Sequence, residues 1–120
     1  MKIKKYLLGI LLFLGLAVAS PAFATDDITK AVAVNDKTMH VCVKGSGEKT
    51  IVMLSGWGTE NPVDDFMPLV DKLSDSYKVV ILEYFGYGTS DITENARTNE
   101  NIVNEIRTAL KDLDIKPPYI

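Results

Sequence analysis

Two short apolar runs constrain this chain more than anything else in it. Thr50-Ile51-Val52-Met53-Leu54 and Val79-Val80-Ile81-Leu82 are continuous rather than alternating. Runs of that kind fit strands buried on both faces, as in a parallel sheet covered by helices. Between them Phe66, Leu69, Val70 and Leu73 recur at helical spacing,. Pro68 is expected in the first turn of that helix, where its missing N–H costs nothing. Strand, helix, strand is then one right-handed βαβ unit.

The flanking segments extend the pattern. Residues 31–34, the pair Asn35-Asp36 and residues 38–43 read as a hairpin. In its second arm Met39, Val41 and Val43 point one way, and His40, Cys42 and Lys44 the other. That period of two predicts an antiparallel, half-exposed strand. Downstream, Ile102, Val103, Ile106, Ala109, Leu110 and Leu113 form a second helical stripe. Thr98 is its expected N-cap, with Glu100 and Glu105 toward the positive end of the helix dipole. Pro117-Pro118 forbids continuation, and Tyr119-Ile120 reads as the start of another strand. The expected class is α/β: an amino-terminal hairpin followed by parallel βαβ units, in a sheet left incomplete.

Residues 1–24 are expected to lie outside this domain, which then spans 25–120. Lys2, Lys4 and Lys5 precede an uncharged, apolar stretch over 7–18, and Ala22-Phe23-Ala24 is an A-x-A cleavage pattern. Charged start, short apolar core and small-residue exit make a secretory signal peptide. The core is short for a membrane span of about 20 residues; an uncleaved anchor over 7–24 is the alternative, and the one route to a membrane. The chain is therefore expected to be exported. Three of the 13 basic residues leave with the leader, so the remaining 96 residues carry 10 basic against 16 acidic groups, a net charge of −6. That argues against a nucleic-acid partner, which needs a basic face. Cys42 is the single cysteine, so no intrachain disulfide or cysteine metal cluster forms.

Two glycine loops follow the apolar strands. Ser55-Gly56-Trp57-Gly58-Thr59 brackets one bulky residue with two glycines. Such a loop turns tightly and leaves backbone N–H groups uncovered, where they can stabilise an anionic oxygen; an ordinary strand-to-helix turn reads equally well. The second loop is Glu83-Tyr84-Phe85-Gly86-Tyr87-Gly88-Thr89-Ser90-Asp91. Its G-x-G-x-S order is not the G-x-S-x-G nucleophile elbow, so Ser90 is a poor nucleophile. A dinucleotide loop fails because Asp91 stands where the third glycine belongs. The segment Gly45-Ser46-Gly47-Glu48-Lys49-Thr50 fails as a phosphate loop because Glu48 separates glycine from lysine and a strand follows. His40 is the only histidine and is expected to face solvent from its strand; one histidine cannot build a multi-histidine metal site. Asp64-Asp65 precedes a helix, where negative charge suits the dipole. No cofactor and no metal are expected.

Taken in order, the hairpin, the strand ending in Ser55-Gly56-Trp57-Gly58, the helix with Phe66-Met67-Pro68-Leu69, the strand ending in Glu83, the Gly86-Tyr87-Gly88-Thr89-Ser90 loop and the helix ending near Pro117-Pro118-Tyr119-Ile120 resemble the first half of the α/β-hydrolase fold. The resemblance runs from about Lys30 to Ile120. It implies that Ser55-Gly56-Trp57-Gly58 matches the family's H-G-x-G-like loop. The backbone N–H of Trp57 would then be an oxyanion-hole donor, with Gly56 and Gly58 beside the substrate. Ser55 stands where the family often has histidine, which alters the loop's hydrogen bonding. Glu83 stands where aspartate is commoner, and residues 86–90 are implied to be architectural. The nucleophile belongs on the turn after the next strand, and acid and histidine later still, so none maps onto a residue here.

The leading expectation is thus a truncated fragment of an exported serine hydrolase of ester or amide bonds, inactive alone, whose parent takes a small-molecule substrate. The alternative is a non-enzymatic secreted or anchored binding module. A third reading, a complete domain with a nucleophile among Ser55, Ser74, Ser76 or Ser90 and His40 as base, has no support in the spacing.

Overall fold

A computed structural model describes residues 28–120; the leader and cleavage site expected over residues 1–24 lie outside the described residues. The chain enters through a hairpin. Strand β1 (Thr29–Val34) and strand β2 (Lys37–Lys44) pair antiparallel with Val34 opposite Lys37. Asn35 and Asp36 link them with φ of 50° and 65°, the left-handed pair that a two-residue hairpin turn demands and that these residue types tolerate.

Strand β3 (Thr50–Leu54), helix α1 (Pro62–Leu73) and strand β4 (Lys78–Leu82) form the expected strand–helix–strand unit, with β3 and β4 parallel neighbours. β4 also pairs antiparallel with β2, so the sheet runs β1-β2-β4-β3. Helix α2 (Asn99–Asp112) follows. Beyond it Tyr119 bridges in parallel to Thr50, the Ile120 N–H donates to the Thr50 carbonyl, and the Val52 N–H donates to the Ile120 carbonyl. The strand expected at Tyr119-Ile120 therefore lies along the outer edge of β3.

Two apolar layers sandwich the sheet. On one face α2 brings Ile106, Ala109, Leu110 and Leu113 onto Val32, Val34, Met39, Val41, Val80 and Leu82. On the other, α1 brings Val63, Phe66, Met67, Val70 and Leu73 onto Cys42, Val79, Ile81 and Met53. β4, central and covered on both faces, is buried through Val79, Val80, Ile81 and Leu82 as its apolar run predicts,.

Four expectations need correcting. β2 is not half-exposed: Cys42, at 1% exposure, is as buried as Val41 at 0%. The reason is α1, which covers the face that alternation assigns to solvent. β3 is only half-buried, with Leu54 exposed at 45%, since it lies beyond β4 and little covers its carboxyl end. Pro68 lies inside α1, not in its first turn. Asn61 caps that helix and Pro62 takes the first helical position, so Pro68 falls mid-helix on the solvent side, where its freed carbonyl partner meets water,. Leu69 consequently faces outward at 48% exposure, and Met67 takes its place in the core.

The fourth correction concerns α2. Thr98 caps it as expected, its hydroxyl accepting from the Asn101 N–H at 3.2 Å. Val103, however, is 41% exposed, and Glu105 is buried at 2%. Glu105 is not a dipole group of the first turn. It sits on the inward stripe between Ile102 and Ile106 and pairs with Arg97, whose Nη1 lies 2.9 Å from each carboxylate oxygen.

Candidate functional site

Both glycine loops leave the carboxyl ends of parallel strands, and so emerge at the same rim of the sheet. In open α/β sheets ligands bind outside those ends. Here the rim carries a cleft of about 430 Å³ lined by Ser55, Gly56 and Trp57 from the first loop and by Tyr84, Phe85 and Tyr87 from the second. Arg97, just before the N-cap of α2, and Ile102, in its first turn, complete the lining.

The second loop is tied down at every step. Glu83 is 3% exposed and donates its own N–H to the His40 carbonyl at 3.0 Å. Its Oε2 accepts from the Thr89 N–H at 2.8 Å and the Thr89 hydroxyl at 2.9 Å. Ser90 Oγ donates to the Glu83 carbonyl at 2.7 Å and accepts from the His40 N–H at 2.8 Å. The Gly88 N–H donates to the Glu60 carbonyl at 3.0 Å, which joins this loop to the one before α1. Asp91 finishes the knot: its Oδ2 accepts from the Thr38 N–H at 2.7 Å and its own N–H donates to the Thr38 carbonyl at 2.9 Å. Gly88, at φ 52°, lies so close over Glu83 that any Cβ would overlap the carboxylate.

His40, half-buried on its strand, also belongs to this network. Its Nδ1 lies 2.9 Å from the Thr89 carbonyl and 3.0 Å from the Thr89 hydroxyl. A carbonyl only accepts, and the Thr89 proton is already given to Glu83, so Nδ1 carries hydrogen and donates. Alternation within β2 does not reveal this, because the partner arrives from 49 residues away. Ser90, with both its hydrogen bonds spent on backbone groups, is no nucleophile for that ring. Cys42, one residue pair further along the same face, has its thiol held above the ordinary range by burial and then by the nearby Glu83 charge,. Tyr84 is pushed up likewise, by burial first and by Tyr87 second. The two tyrosine rings meet edge to face at 5.8 Å,.

The first loop is the opposite. Trp57 is 99% exposed. Among the described residues no acceptor takes its backbone N–H. A Cβ added at Gly56 or at Gly58 meets nothing within 4 Å, although Gly58 sits at φ 89°. The Ser55 hydroxyl is enclosed and has no hydrogen-bond partner. The structure thus brings Gly56 and Trp57 to the cleft, and Gly58 to the turn behind them. It brings no base to them, since both ring partners of His40 are atoms of Thr89. Among the described residues no cluster of three histidine, cysteine, aspartate or glutamate side chains could hold a metal ion.

Sequence reasoning missed Arg97 and Tyr84 as parts of this rim, and Glu105 as the partner of Arg97. One signal was available: Ile102, Glu105, Ile106, Ala109, Leu110 and Leu113 follow helical spacing better than the stripe with Val103, and a charge on such a stripe demands a partner.

No family model matches the chain. Uncharacterized protein YbdG of Bacillus subtilis (strain 168) is 35% identical over 89 residues, which is 74% of this chain and 27% of that protein. Among solved structures, an esterase from Exiguobacterium antarcticum superposes with a TM-score of 0.64 at 25% identity, over 72% of this chain and 32% of its own. The epoxide hydrolase VrEH1 from Vigna radiata superposes with a TM-score of 0.64 at 25% identity, over 76% of this chain and 30% of its own. The chain therefore spans about a third or less of the length of these proteins.

Proposed function

We propose, from the premise that this chain belongs to the α/β-hydrolase fold family and carries its amino-terminal portion, that the loop after β3 supplies the oxyanion side of a hydrolase active site. The supporting observation is the free Trp57 N–H beside a cleft at the carboxyl ends of parallel strands. A hydrogen-bond donor left without an internal acceptor at such a rim suits a developing negative oxygen. Gly56 and Gly58 keep the approach to it clear. The loop after β4 plays no chemical part; Glu83, Thr89 and Ser90 hold the rim in place.

The reaction class proposed is hydrolysis of an ester or amide in a small molecule, with the nucleophile, base and second oxyanion donor supplied from outside residues 28–120. The chain alone is then inactive. Its leader directs export, by cleavage after Ala24 or as an anchor.

Reconstitution tests this reading. The chain is mixed with the carboxyl portion of the YbdG relative, and p-nitrophenyl acetate hydrolysis is followed. The chain alone is expected at background, and the mixture active. Trp57→Pro, which deletes the N–H, is expected to cut kcat about 10²–10³-fold, as removal of an oxyanion donor does. A Trp57→Pro mixture that keeps full rate sinks the donor role; activity of the chain alone sinks the division of labour.

A further inference from the structure

Arg97 lines the same cleft as Ser55 and Trp57. Its side chain is 34% exposed, whereas its partner Glu105 is 2% exposed. The pairing uses one nitrogen: Nη1 alone meets both carboxylate oxygens, each at 2.9 Å. A guanidinium has five N–H donors in a fixed fork. Nη1 accounts for two, and among the described residues no acceptor takes the three on Nε and Nη2. A purely structural Arg–carboxylate pair commonly engages two nitrogens side by side. Here that edge is left free, and the buried Glu105 fixes the plane in which it lies.

From this geometry we infer that Arg97 is a specificity-determining residue that binds a carboxylate on the substrate, with Glu105 as the residue that positions it. The inference rests on the cleft being the substrate site proposed above. It deepens that reading: the ester or amide taken would carry a free carboxylate some distance from its scissile bond. The Nε–Nη2 edge matches the two oxygens of a carboxylate. A phosphate dianion fits less well, because Glu105 already offsets the guanidinium charge and repels two negative charges more strongly than the one of a carboxylate,. Recognition is therefore by hydrogen-bond geometry more than by net charge, and it should depend weakly on salt.

The chain carries its own reporter, since Trp57 is its only tryptophan and lines the cleft. The test titrates the full 120-residue chain with butyrate and with butyramide at neutral pH, following Trp57 fluorescence. Butyrate is expected to bind about tenfold or more tightly than butyramide, the range of a charge-assisted pair of hydrogen bonds. Arg97→Gln and Arg97→Lys are each expected to bring that ratio near one, the second because it keeps charge and loses the fork. Loss of the preference, and not of folding, is the readout that a merely structural arginine would leave unmoved. Equal binding of both ligands by the unsubstituted chain overturns the carboxylate inference and leaves the cleft standing, whether or not the variants fold. A preference that survives in Arg97→Lys also overturns it. Binding of neither ligand overturns the inference and the cleft together.

Discussion

The two glycine loops look alike as letters and behave as opposites. Residues 55–59 and 83–91 each follow an apolar strand and each places an aromatic residue between glycines. In the later loop Gly88 is a glycine because the Glu83 carboxylate fills the space a side chain would need. In the earlier loop Gly56 and Gly58 face open space. The loop around Glu83 spends its polar groups on itself and on β2. The loop around Trp57 keeps an N–H and a hydroxyl unspent. Gly86 too faces open space, so within these loops the close internal approach belongs to Gly88 alone. The partners of the neighbouring N–H groups tell the two loops apart.

Substitutions can break that contrast, beginning with the largest effect. Gly88→Ala drives a methyl into the Glu83 carboxylate at a left-handed φ, and should cost about 3 kcal/mol in denaturant unfolding, or prevent folding. Ser90→Ala strands the Glu83 carbonyl and the His40 N–H, and should cost about 1–2 kcal/mol by the same measurement. Gly58→Ala meets no neighbour and bears only the strain of positive φ, about 1 kcal/mol. Trp57→Ala, in the open loop, should change stability by less than about 0.5 kcal/mol. A loss at Trp57 matching that at Ser90 would mean that the first loop is held as tightly as the second.

A smaller effect sharpens the contrast through Cys42, whose thiol is raised by burial and by Glu83. A raised folded value means that the native state holds the proton more tightly than the unfolded chain. That contribution is complete below about pH 9, the ordinary thiol value, and fades as pH rises through the folded value,. Melting temperature should therefore fall more steeply in alkali for the unsubstituted chain than for Cys42→Ala. Parallel pH profiles would show that the Glu83 network does not enclose this face.

Much of the fold was legible from short-range pattern. The hairpin turn at Asn35-Asp36, the buried run at 79–82 and the Thr98 cap rest on local rules and appear where those rules place them. What failed depended on distant elements. Cys42 looks exposed until α1 is laid over it, and β3 looks central until β4 is seen to take the middle of the sheet. Pro68 misleads because Pro62 is the better first residue of α1. Of the site, the first loop could be located by its glycines and by its likeness to a known fold. His40 and Arg97 could not, since Thr89 and Glu105 reach them from outside the strand or turn in which each sits.

Amide hydrogen exchange, read residue by residue by NMR on the chain, tests the central distinction most directly. Gly88, Thr89 and Asp91 should be protected, because their N–H groups donate to Glu60, Glu83 and Thr38,. The Trp57 N–H should exchange as fast as that of an unstructured chain, available for an oxyanion. Protection of Trp57 comparable to that of Thr89 would contradict the account.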